Sequence, residues 1–445
     1  MEKRMVILGA GESGVGAAIL CRRMGYEVFV SDGGRIQDKY KQEMAVHGIE
    51  FEEGGHSEAR ILAAGEVMKS PGIPHKSPLV QKIIAAGIGI TGEVELAYRF
   101  KGNSKIIGIT GSNGKTTTTA LTYHICKEAG ADCAMVGNIG ISIARQVALD
   151  PKPLYVAEIS SFQLDDIQVF RPDVAILTNI TEDHLDRYDY NFENYIRAKF
   201  NIVKNQTTAD HFIYCEDDPV TMNYLNHFPF NSNPLPFTMN REIPKGAFIA
   251  NNRMTVAGNE PLTMSIYDFT LKGKHNQYNT MAACLAATTI GIRKEKIRDA
   301  VKTFESLEHR METVMMIRGV EFINDSKATN VNSTWFALEN MTKPVILILG
   351  GVDKGNDYSL IMDMVKEKVK AIVCLGKDNT KIHKAFGNDV EVIANTDNAV
   401  DAVKASFHLA SKGDVVLLSP ACASFDLFAN YEDRGKQFKA AVKEL

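Results

Sequence analysis

Short runs of apolar, mostly β-branched residues recur along this chain with helical patterns between them, and this alternation limits the possible folds more than any other feature. Runs such as Val174–Leu177 and Val345–Leu349 have the length of buried strands and are too short for helices. Strands that alternate with helical segments are typical of parallel sheets, so we predict an α/β fold. The predicted strands span residues 5–8, 28–30, 106–109, 154–157, 174–177, 320–323, 345–349, 371–375 and 415–418.

The strands fall into three groups, which indicates three domains. A chain of 445 residues is too long for one hydrophobic core, and a domain of about 150 residues is typical. The charged segments 93–101 and 306–310 lie between the groups. We therefore predict domains over residues 1–93, 94–306 and 307–445.

Residues 205–271 interrupt the regular alternation of strands and helices. This segment is rich in Asn and Pro and contains short alternating pieces such as 212–215. We expect antiparallel edge strands or a small subsheet there.

Composition argues against several classes of protein. The net charge is only -4 and no long run of Lys or Arg is present, so we expect no nucleic-acid partner. The seven cysteines are irregularly spaced without a CxxC pair, so we expect reduced core residues. A predicted strand already begins at Met5, and no stretch approaches the ~18 apolar residues that span a bilayer. We therefore expect no membrane insertion and a cytoplasmic protein.

Polar residues follow most of the predicted strands, at the strand ends where parallel sheets bind ligands. In the first two groups these residues are 9–14, 110–116, Glu158, 178–179 and 182–184. In the third group they are 324–329, 350–354 and 419–424.

Residues 111–116, Gly-Ser-Asn-Gly-Lys-Thr, have the character of a phosphate-binding P-loop. Glycines let backbone N–H groups surround phosphate oxygens, Lys115 can reach the terminal phosphates and Thr116 can bind Mg²⁺. The usual GxxxxGK[ST] spacing fails by one residue because Ile109 occupies the place of the first glycine, so the loop is a variant. The alternative is a simple turn before a helix. Glu158, at the tip of the next strand, stands where a P-loop enzyme holds its metal.

Gly9, Gly11 and Gly14 form a GxGxxG motif after the first strand, and Asp32 ends the next strand. This pattern indicates a Rossmann-like site for a nucleotide diphosphate, with Asp32 near a ribose or base. A NAD-binding domain remains the alternative.

His184 and Lys199 are less clearly marked. His184 lies in the polar segment 181–186 after a strand, and we favour a metal ligand over a core histidine. Lys199 lies in the predicted helix 192–203, whose Ile196 and Phe200 mark an apolar side. The residues alone predict that Lys199 is a surface lysine.

Several separated motifs occur along the chain in one order. They are residues 111–117, 158–161, 182–186, 274–276, Asn279, 309–312 and 324–327. In kind and order they resemble the motifs of the Mur ligases. The Gly9 loop, the Ser-Pro-Gly of residues 70–72 and the closing motifs within 418–435 make the chain most similar to the D-glutamate-adding members of that family. The resemblance spans nearly the whole chain.

This resemblance implies a Rossmann-like N-terminal domain that binds a UDP substrate, a central P-loop ATPase domain with a parallel sheet, and a Rossmann-like C-terminal domain that binds D-glutamate. It also implies ATP, two Mg²⁺ ions and a carbamate on Lys199, which replaces the surface-lysine interpretation. The implied catalytic residues are Lys115, His184, Lys199 and Arg310, and the implied metal ligands are Thr116, Glu158, His184 and Lys199.

The resemblance assigns the remaining site residues by ligand. Those implied for ATP are Gly111, Ser112, Asn113, Gly114, Lys115, Thr116, Thr117, Asn276, Asn279, Arg310 and Asp325. Those implied for the UDP substrate are Ser13, Asp32, Gly72 and Asn138. Those implied for D-glutamate are Thr329, Lys354, Ser424, Phe425 and Tyr431.

The implied reaction converts the L-alanine carboxylate of UDP-N-acetylmuramoyl-L-alanine into an acyl phosphate, which the amine of D-glutamate attacks to give an amide, ADP and phosphate. We expect a monomer. The alternatives are another Mur or folylpolyglutamate-type ligase, a P-loop ATPase switch without ligase activity, and a NAD-dependent oxidoreductase.

Two places depart from the family pattern. Ser112 stands where many relatives have threonine, which keeps a hydroxyl. Glu12 and the pair Gly33 and Gly34 are less easily matched, and a carboxylate at Glu12 would repel a nearby diphosphate.

Overall fold

The computed structural model describes residues 4–258, 260–305 and 308–445. The chain divides into two compact units, Met1–Phe304 and Glu305–Leu445. The predicted boundary between residues 306 and 307 lies outside the described residues. The first unit contains two sheets and the second contains one, and all the strands predicted from apolar runs are present.

The first sheet has a Rossmann-like order with β1 at its centre. Its elements are β1 (Arg4–Leu8), α1 (Glu12–Arg23), β2 (Glu27–Asp32), α2 (Asp38–Val46), β3 (Glu50–Glu53), α3 (Glu58–Ile61), β4 (Glu66–Lys69), α4 (Pro78–Ala85) and β5 (Gly89–Thr91). The described strands lie in the order β3-β2-β1-β4-β5, and all neighbours are parallel. Because parallel strands share one carboxyl edge, the loops after Leu8, Asp32 and Lys69 meet at that edge.

The apolar content of each strand explains its place in this sheet. In β1, every residue after Arg4 is a buried apolar side chain, whereas no residue of β3, Glu-Phe-Glu-Glu, is fully buried. A central parallel strand is covered on both faces and needs a continuous apolar run, while an edge strand tolerates charge. The sequence therefore places β1 inside and β3 at the edge.

The second sheet belongs to the central part of the chain. Its elements, after the linking helix α5 (Glu93–Phe100), are β6 (Lys105–Thr110), α6 (Lys115–Glu128), β7 (Cys133–Gly137), α7 (Ile143–Leu149), β8 (Leu154–Glu158), α8 (Ser161–Leu164), β9 (Val174–Leu177), α9 (Phe192–Phe200), β10 (His211–Cys215), α10 (Pro219–Tyr224), β11 (Asn233–Thr238), β12 (Gly246–Ala250), β13 (Arg253–Ala257), β14 (Leu262–Ser265), α11 (Lys274–Thr289) and α12 (Lys294–Thr303). The described strands lie in the order β14-β13-β12-β11-β10-β9-β6-β8-β7.

Segment 205–271 extends this sheet and does not form a separate one. β10 and β11 continue the parallel part, so the antiparallel pairing expected for residues 212–215 is wrong. β12, β13 and β14 pair antiparallel at the same edge, as expected for the rest of the segment. The short alternating pieces revealed strands, but their direction depends on the connections between them.

The two sheets of the first unit share one hydrophobic core. The helices α1, α5 and α7 pack on one another, and a single cluster of buried residues runs from Met5 through Ala144 to Tyr214. Burial of each large apolar side chain contributes roughly 1.5–3 kcal/mol. Contacts between the N-terminal and central domains are therefore part of the fold of this unit.

The second unit contains the third sheet. Its elements are β15 (Glu312–Ile317), β16 (Val320–Asn324), α13 (Val331–Glu339), β17 (Val345–Leu349), α14 (Met362–Lys368), β18 (Val369–Leu375), α15 (Thr380–Phe386), β19 (Val392–Thr396), α16 (Ala399–Leu409), β20 (Val415–Leu418) and α17 (Tyr431–Lys443). The described strands lie in the order β15-β16-β20-β17-β18-β19, and only the β15 pairing is antiparallel. The last strand thus inserts between β16 and β17 and brings their carboxyl ends together.

All seven cysteines are free and buried, as the sequence predicted. Among the described residues, we find no helix with the length and apolar character needed to cross a bilayer.

Candidate active site

The predicted phosphate-binding loop lies between β6 and α6. Gly114 precedes the helix with φ +82°, and a Cβ atom there would lie 2.3 Å from Oδ1 of Asn279. Only glycine fits both this conformation and this space. The loop therefore passes directly against α11, the helix that carries Asn279.

A second loop, residues 178–181 after β9, is bonded to the phosphate loop. The backbone N–H of Ser112 donates to the carbonyl oxygen of Asn179 at 2.8 Å, and that of Asn113 donates to Oδ1 of Asn179 at 3.0 Å. The Ser112 hydroxyl donates to the carbonyl oxygen of Thr181 at 2.8 Å. Ser112, which stands where many relatives have threonine, therefore supplies a hydroxyl that joins the two loops.

Two lysines meet at the carbonyl oxygen of Gly111. Nζ of Lys115 and Nζ of Lys199 each donate to it at 2.7 Å. Lys199 is only 1% exposed, and its Nζ lies 4.4 Å from the ring centroid of Tyr195. The surface-lysine interpretation is therefore wrong, because α9 carries this side chain into the core of the first unit.

The surroundings of Lys199 change its acidity. Burial lowers the pKa of its amine well below the usual value, and the positive charge of Lys115 lowers it further. The carboxylates of Asp183 and Glu158 act in the opposite direction. The site therefore holds an amine that loses its proton readily, close to two acidic groups.

Three of the predicted metal ligands end or follow neighbouring strands of the second sheet: Thr116 follows β6, Glu158 ends β8 and His184 follows β9. Glu158 ends β8 and is 2% exposed, and Thr116, in the first turn of α6, is 6% exposed. His184 has φ +53°, and its ring centroid lies 5.1 Å from that of Phe162. No group of three or more His, Cys, Asp or Glu side chains in the described part of the chain is arranged to hold a metal ion. The oxygen donors of Glu158 and Thr116 nevertheless fit Mg²⁺, which uses few protein ligands together with water and phosphate oxygens.

Asn138, predicted to contact the UDP substrate, is bonded to Glu158. Its Nδ2 donates to Oε1 of Glu158 at 2.9 Å, and its backbone N–H donates to the Glu158 carbonyl oxygen at 2.8 Å. In this structure Asn138 therefore orients the candidate metal-binding carboxylate.

The predicted nucleotide residues of α11 lie beside the phosphate loop. The Thr118 hydroxyl donates to Oδ1 of Asn279 at 3.2 Å, and Nδ2 of Asn279 donates to Oδ1 of Asn276 at 3.1 Å. Thr117 is 7% exposed in the first turn of α6. A helix that begins about 160 residues after the loop thus completes it.

The glycine-rich loop of the N-terminal sheet is held by Asp32. Its Oδ2 accepts the backbone N–H of Ala10 at 2.7 Å, and its Oδ1 accepts that of Gly34 at 2.8 Å. A Cβ atom at Gly14 would lie 1.8 Å from the carbonyl oxygen of Gly9, so the motif needs this glycine for close approach. Ser13 lies in the first turn of α1, at the mouth of the loop.

Glu12, which the sequence analysis expected to repel a diphosphate, forms hydrogen bonds to the central domain. Its Oε1 accepts from Nε of Arg145 at 2.7 Å and from the backbone N–H of Ser142 at 3.2 Å. Arg145 also forms an ion pair with Glu43. The Glu12 carboxylate is therefore paired with the central domain, where it shares the charge of Arg145 with Glu43, and this pairing reduces the repulsion expected from the sequence.

Arg187 is a residue that the sequence analysis missed. It follows His184 by three positions, and its guanidinium group donates to carbonyl oxygens of residues 71–73, which include the predicted substrate residue Gly72. The only signal in the sequence was its place next to the motif of residues 182–186.

Arg310 and Asp325 are brought together in the second unit. Asp325 follows β16, and its Oδ2 accepts from the Ser419 hydroxyl at 3.0 Å while its Oδ1 accepts from the Met311 backbone N–H at 3.3 Å. Burial raises the pKa of Asp325 to about 7, against the opposing effects of the Ser419 hydrogen bond and the Arg310 charge. Both predicted nucleotide residues therefore lie at the carboxyl edge of the third sheet.

The residues predicted for D-glutamate also lie at this edge. Thr329 follows β16, Lys354 follows β17, Ser424 and Phe425 follow β20, and Tyr431 begins α17. Ser424 is 2% exposed, whereas Phe425 is 72% exposed. The Tyr431 hydroxyl accepts from Nζ of Lys327 at 3.0 Å. Because β20 lies between β16 and β17, the loops that follow these three strands are neighbours.

Two further residues hold those loops, and no motif in the sequence predicts a role for either of them. Asp353 accepts from the Gly355 backbone N–H at 2.7 Å and from Nζ of Lys381 at 2.6 Å, which fixes the turn that carries Lys354. Arg434, 1% exposed, donates to the carbonyl oxygens of Ser326 and Cys422. Burial lowers the pKa of Arg434 to about 10. The guanidinium group of Arg434 thus joins the loop after β16 to the loop after β20.

Comparisons with known proteins agree with this arrangement. Three family profiles match the chain: the Mur ligase MurD-like N-terminal domain over residues 3–92, the Mur ligase middle domain over 109–287 and the Mur ligase glutamate ligase domain over 309–422.

Relatives match over the full length. The UDP-N-acetylmuramoylalanine–D-glutamate ligase of Christiangramia forsetii is 52% identical over 446 residues, which cover 100% of both chains. The protein of the same name from Bacteroides fragilis is 50% identical over 444 residues, again 100% of both. The crystal structure of the MurF ligase from Thermotoga maritima in complex with ADP has the same fold, with a TM-score of 0.62 at 14% identity over 94% of this chain and 95% of that one. The chain belongs to the Mur ligase family.

Proposed function

We propose that this chain is an ATP-dependent ligase that joins D-glutamate to UDP-N-acetylmuramoyl-L-alanine in the synthesis of peptidoglycan precursors, with release of ADP and phosphate. Relatives with that enzyme name match the whole chain, and the similar MurF ligase was solved with ADP. Within the molecule, one observation carries the proposal: Lys115 and Lys199 converge on the Gly111 carbonyl oxygen beside Glu158.

The first chemical step needs positive charge. A carboxylate oxygen of the L-alanine group attacks the γ-phosphorus of ATP, and the bond from that phosphorus to the ADP oxygen breaks. Both reactants are anions, so the ammonium group of Lys115 and the N-terminus of α6 stabilise the charge that develops on the phosphoryl oxygens. Mg²⁺ held by Glu158 and Thr116 would supply further Lewis-acid stabilisation.

The second step forms the amide. The neutral amine of D-glutamate attacks the acyl carbon, the bond from that carbon to the phosphate oxygen breaks, and the proton that the amine loses ends on the departing phosphate. We propose that Thr329, Lys354, Ser424, Phe425 and Tyr431 bind D-glutamate, and that Arg310 and Asp325 contact the nucleotide. Support comes from their common place at the carboxyl edge of the third sheet, where ligands bind in such folds.

The UDP substrate is assigned to the N-terminal domain. We propose that its uridine diphosphate binds the loop after β1 through Ser13 and Gly72, with Asp32 holding the loop in shape. The hydrogen bonds from Ala10 and Gly34 to Asp32 support this role. Asn138 would reach the substrate beside Glu158.

Lys199 is proposed to carry a carbamate. The ammonium group first loses one proton, and the neutral amine then attacks CO₂, with formation of an N–C bond, opening of one C=O double bond and loss of a second proton to solvent. A cation thereby becomes an anion. The lowered pKa of the amine and its burial support the step, because a protonated amine cannot react. An anion at this place would join Glu158 and His184 around a second Mg²⁺.

A phosphate-release assay tests the proposed function. Purified protein with ATP and Mg²⁺ should release phosphate only when UDP-N-acetylmuramoyl-L-alanine and D-glutamate are both present, and L-glutamate should replace D-glutamate poorly. Release with a different amino acid or a different UDP substrate would assign the chain to a sister ligase. Steady ATP hydrolysis without any amide product would overturn the ligase assignment.

We further propose that the enzyme works as a cytoplasmic monomer with domains over residues 1–93, 94–306 and 307–445. The family matches at 3–92, 109–287 and 309–422 fit inside these bounds. Light scattering of the purified protein, limited proteolysis and fractionation of cells test the three parts of this proposal.

A further inference from the structure

Residues 70–73, the Ser-Pro-Gly-Ile loop after β4, are held by a cation from the central domain. Nη2 of Arg187 donates to the carbonyl oxygens of Pro71 at 2.8 Å and Ile73 at 3.0 Å, and Nη1 donates to that of Gly72 at 3.1 Å. One guanidinium group therefore binds three consecutive carbonyl groups of another domain within the first unit.

The loop is anchored to the central domain a second time. Nζ of Lys69 donates to the Ile73 carbonyl oxygen at 3.0 Å and forms a 2.8 Å ion pair with Asp166, with the two side chains 1% and 3% exposed. His75 contacts the other oxygen of Asp166 at 2.5 Å. Separating the two partners of a buried ion pair is costly in free energy, because each partner is then an uncompensated charge. Such a pair therefore holds its two side chains in place. Lys69 and Asp166 thus fix the base of the loop, and Arg187 fixes its tip.

Arg187 also belongs to the loop of the candidate metal ligand His184. It lies in the 3₁₀ turn Leu185–Tyr188 that begins directly after His184. The guanidinium carbon lies 4.9 Å from the ring centroid of Phe162, and the same ring packs against His184 at 5.1 Å. Arg187 and Phe162 therefore link the 70–73 loop to the turn that carries His184.

The contacts of Arg187 also shape the charge that the loop presents. In a trans peptide the N–H points opposite to the C=O, and the described residues contain no cis peptide bond. With the Pro71 carbonyl turned toward Arg187, the Gly72 N–H points away from it. Arg187 thus binds three carbonyl oxygens that would repel a diphosphate, and it leaves the Gly72 N–H donor on the opposite side of the peptide.

We propose that Arg187 is a positioning residue that couples occupancy of the 70–73 loop by the UDP substrate to the loop of His184, and so to binding of the magnesium nucleotide. The inference rests on the proposed function. Coupling of this kind is reciprocal: the substrate strengthens nucleotide binding by the same factor by which the nucleotide strengthens substrate binding, with factors of about 5–150 in typical cases.

Calorimetric titration of the full chain tests the coupling. The affinity for UDP-N-acetylmuramoyl-L-alanine is measured with and without the magnesium complex of a non-hydrolysable ATP analogue. The unaltered protein should bind the substrate about tenfold more tightly with the analogue present. Arg187→Ala should reduce that factor to near one and weaken substrate binding, while its affinity for the analogue alone and its unfolding temperature stay close to those of the unaltered protein.

Arg197→Ala is the matched control, because Arg197 is an arginine of the same domain whose side chain is 62% exposed and is paired with Glu193 on the surface. This variant should keep the full coupling. Arg187→Lys retains the charge but donates from one nitrogen atom instead of two, so its coupling should be intermediate. This variant decides the question if Arg187→Ala does not fold. Full coupling in a folded Arg187 variant, or no coupling in the unaltered protein, would overturn the proposal. If the unaltered protein bound the nucleotide but no UDP substrate, the proposed function itself would fail.

Discussion

Lys199 shows at the residue scale how burial decides chemistry. The carbamate proposal predicts that Lys199→Ala is nearly inactive. Lys199→Glu should keep some activity because it restores an anion, whereas Lys199→Arg should be as inactive as Lys199→Ala because arginine is a cation. Labelling with ¹³CO₂ should give one carbamate resonance by NMR that disappears in Lys199→Ala. Lys204→Ala is the control, since Lys204 lies just beyond the same helix and is exposed. Full activity of Lys199→Ala would return this residue to a purely structural role.

The site residues differ in how far the sequence could reveal them. Lys115, Thr116 and Glu158 follow predicted strands directly, so local patterns were enough to place them at the carboxyl edge. The residues alone predict a surface position for Lys199. The helical pattern of α9 does not show that other elements cover the face of the helix that carries this lysine. Arg187 was missed because its partners lie more than 110 residues away in another domain. Burial and long-range hydrogen bonds are properties of tertiary packing.

At the scale of elements, the phosphate loop and α6 offer a test with an internal control. Gly114→Ala should lower ATP affinity by about tenfold or more, because the new Cβ would displace Asn279, which it would approach to 2.3 Å. Gly130, after the other end of α6, has φ +87° but nothing within 4 Å of a Cβ. Gly130→Ala should therefore cost only the left-handed conformation, about 1–2 kcal/mol of stability, and keep ATP affinity. Calorimetric titration with an ATP analogue measures both, and equal affinities would contradict the close fit of the loop.

The helix α5, which links the first two sheets, carries a buried carboxyl group. Burial raises the pKa of Glu93 to about 7 even though Glu93 accepts the Ala144 backbone N–H at 2.7 Å. The folded protein therefore holds this proton where the unfolded chain has lost it, so the stabilising contribution is full below pH about 4.5 and is lost as the pH rises through about 7. Glu93→Gln mimics the neutral form and should be more stable than the unaltered protein at pH 8, by up to about 3 kcal/mol.

Urea unfolding at pH 5 and pH 8 measures this difference. The advantage of Glu93→Gln should be present at pH 8 and nearly absent at pH 5. Glu58→Gln is the control, because Glu58 is about half exposed and pairs with Lys82 on the surface. The same difference at both pH values would show that the Glu93 carboxyl group does not titrate as proposed.

Among the elements, the sequence predicted central strands best. The strands at Val174–Leu177, Val345–Leu349 and Val415–Leu418 agree with the prediction to the residue, because strands buried on both faces need continuous apolar runs. The edge strand Glu50–Glu53 was missed, since it is mostly charged. The strand His211–Cys215 was found, but its direction was not, because its partners β9 and β11 are set by the path of the chain.

For the whole molecule, the division into units differs from the division into domains. The N-terminal and central domains share one hydrophobic core and the ion pairs of Lys69 with Asp166 and of Arg145 with Glu12. The third domain forms a unit of its own. Composition and strand grouping indicated three domains, but they could not show that two of them are joined, because the joining residues are scattered through both. The proposed binding sites for the UDP substrate and the ATP phosphates thus belong to one unit.

The separation of the two nucleotide sites within that unit leads to the last prediction. The loop after β1 belongs to the first sheet and the phosphate loop to the second, so free UDP should compete with UDP-N-acetylmuramoyl-L-alanine but not with ATP. Asp32→Ala removes the acceptor of the Ala10 and Gly34 N–H groups and should weaken inhibition by UDP about tenfold, since hydrogen bonds to a charged group contribute roughly 1.5–3 kcal/mol each. Asp38→Ala, a nearby carboxylate that is 74% exposed, should leave inhibition unchanged. Steady-state inhibition kinetics measure each case, and equilibrium dialysis with UDP and NAD checks the ligand directly. Binding of NAD without UDP would favour the dinucleotide interpretation of the glycine-rich loop, and competition of UDP with ATP would mean that the two phosphate sites are not separate.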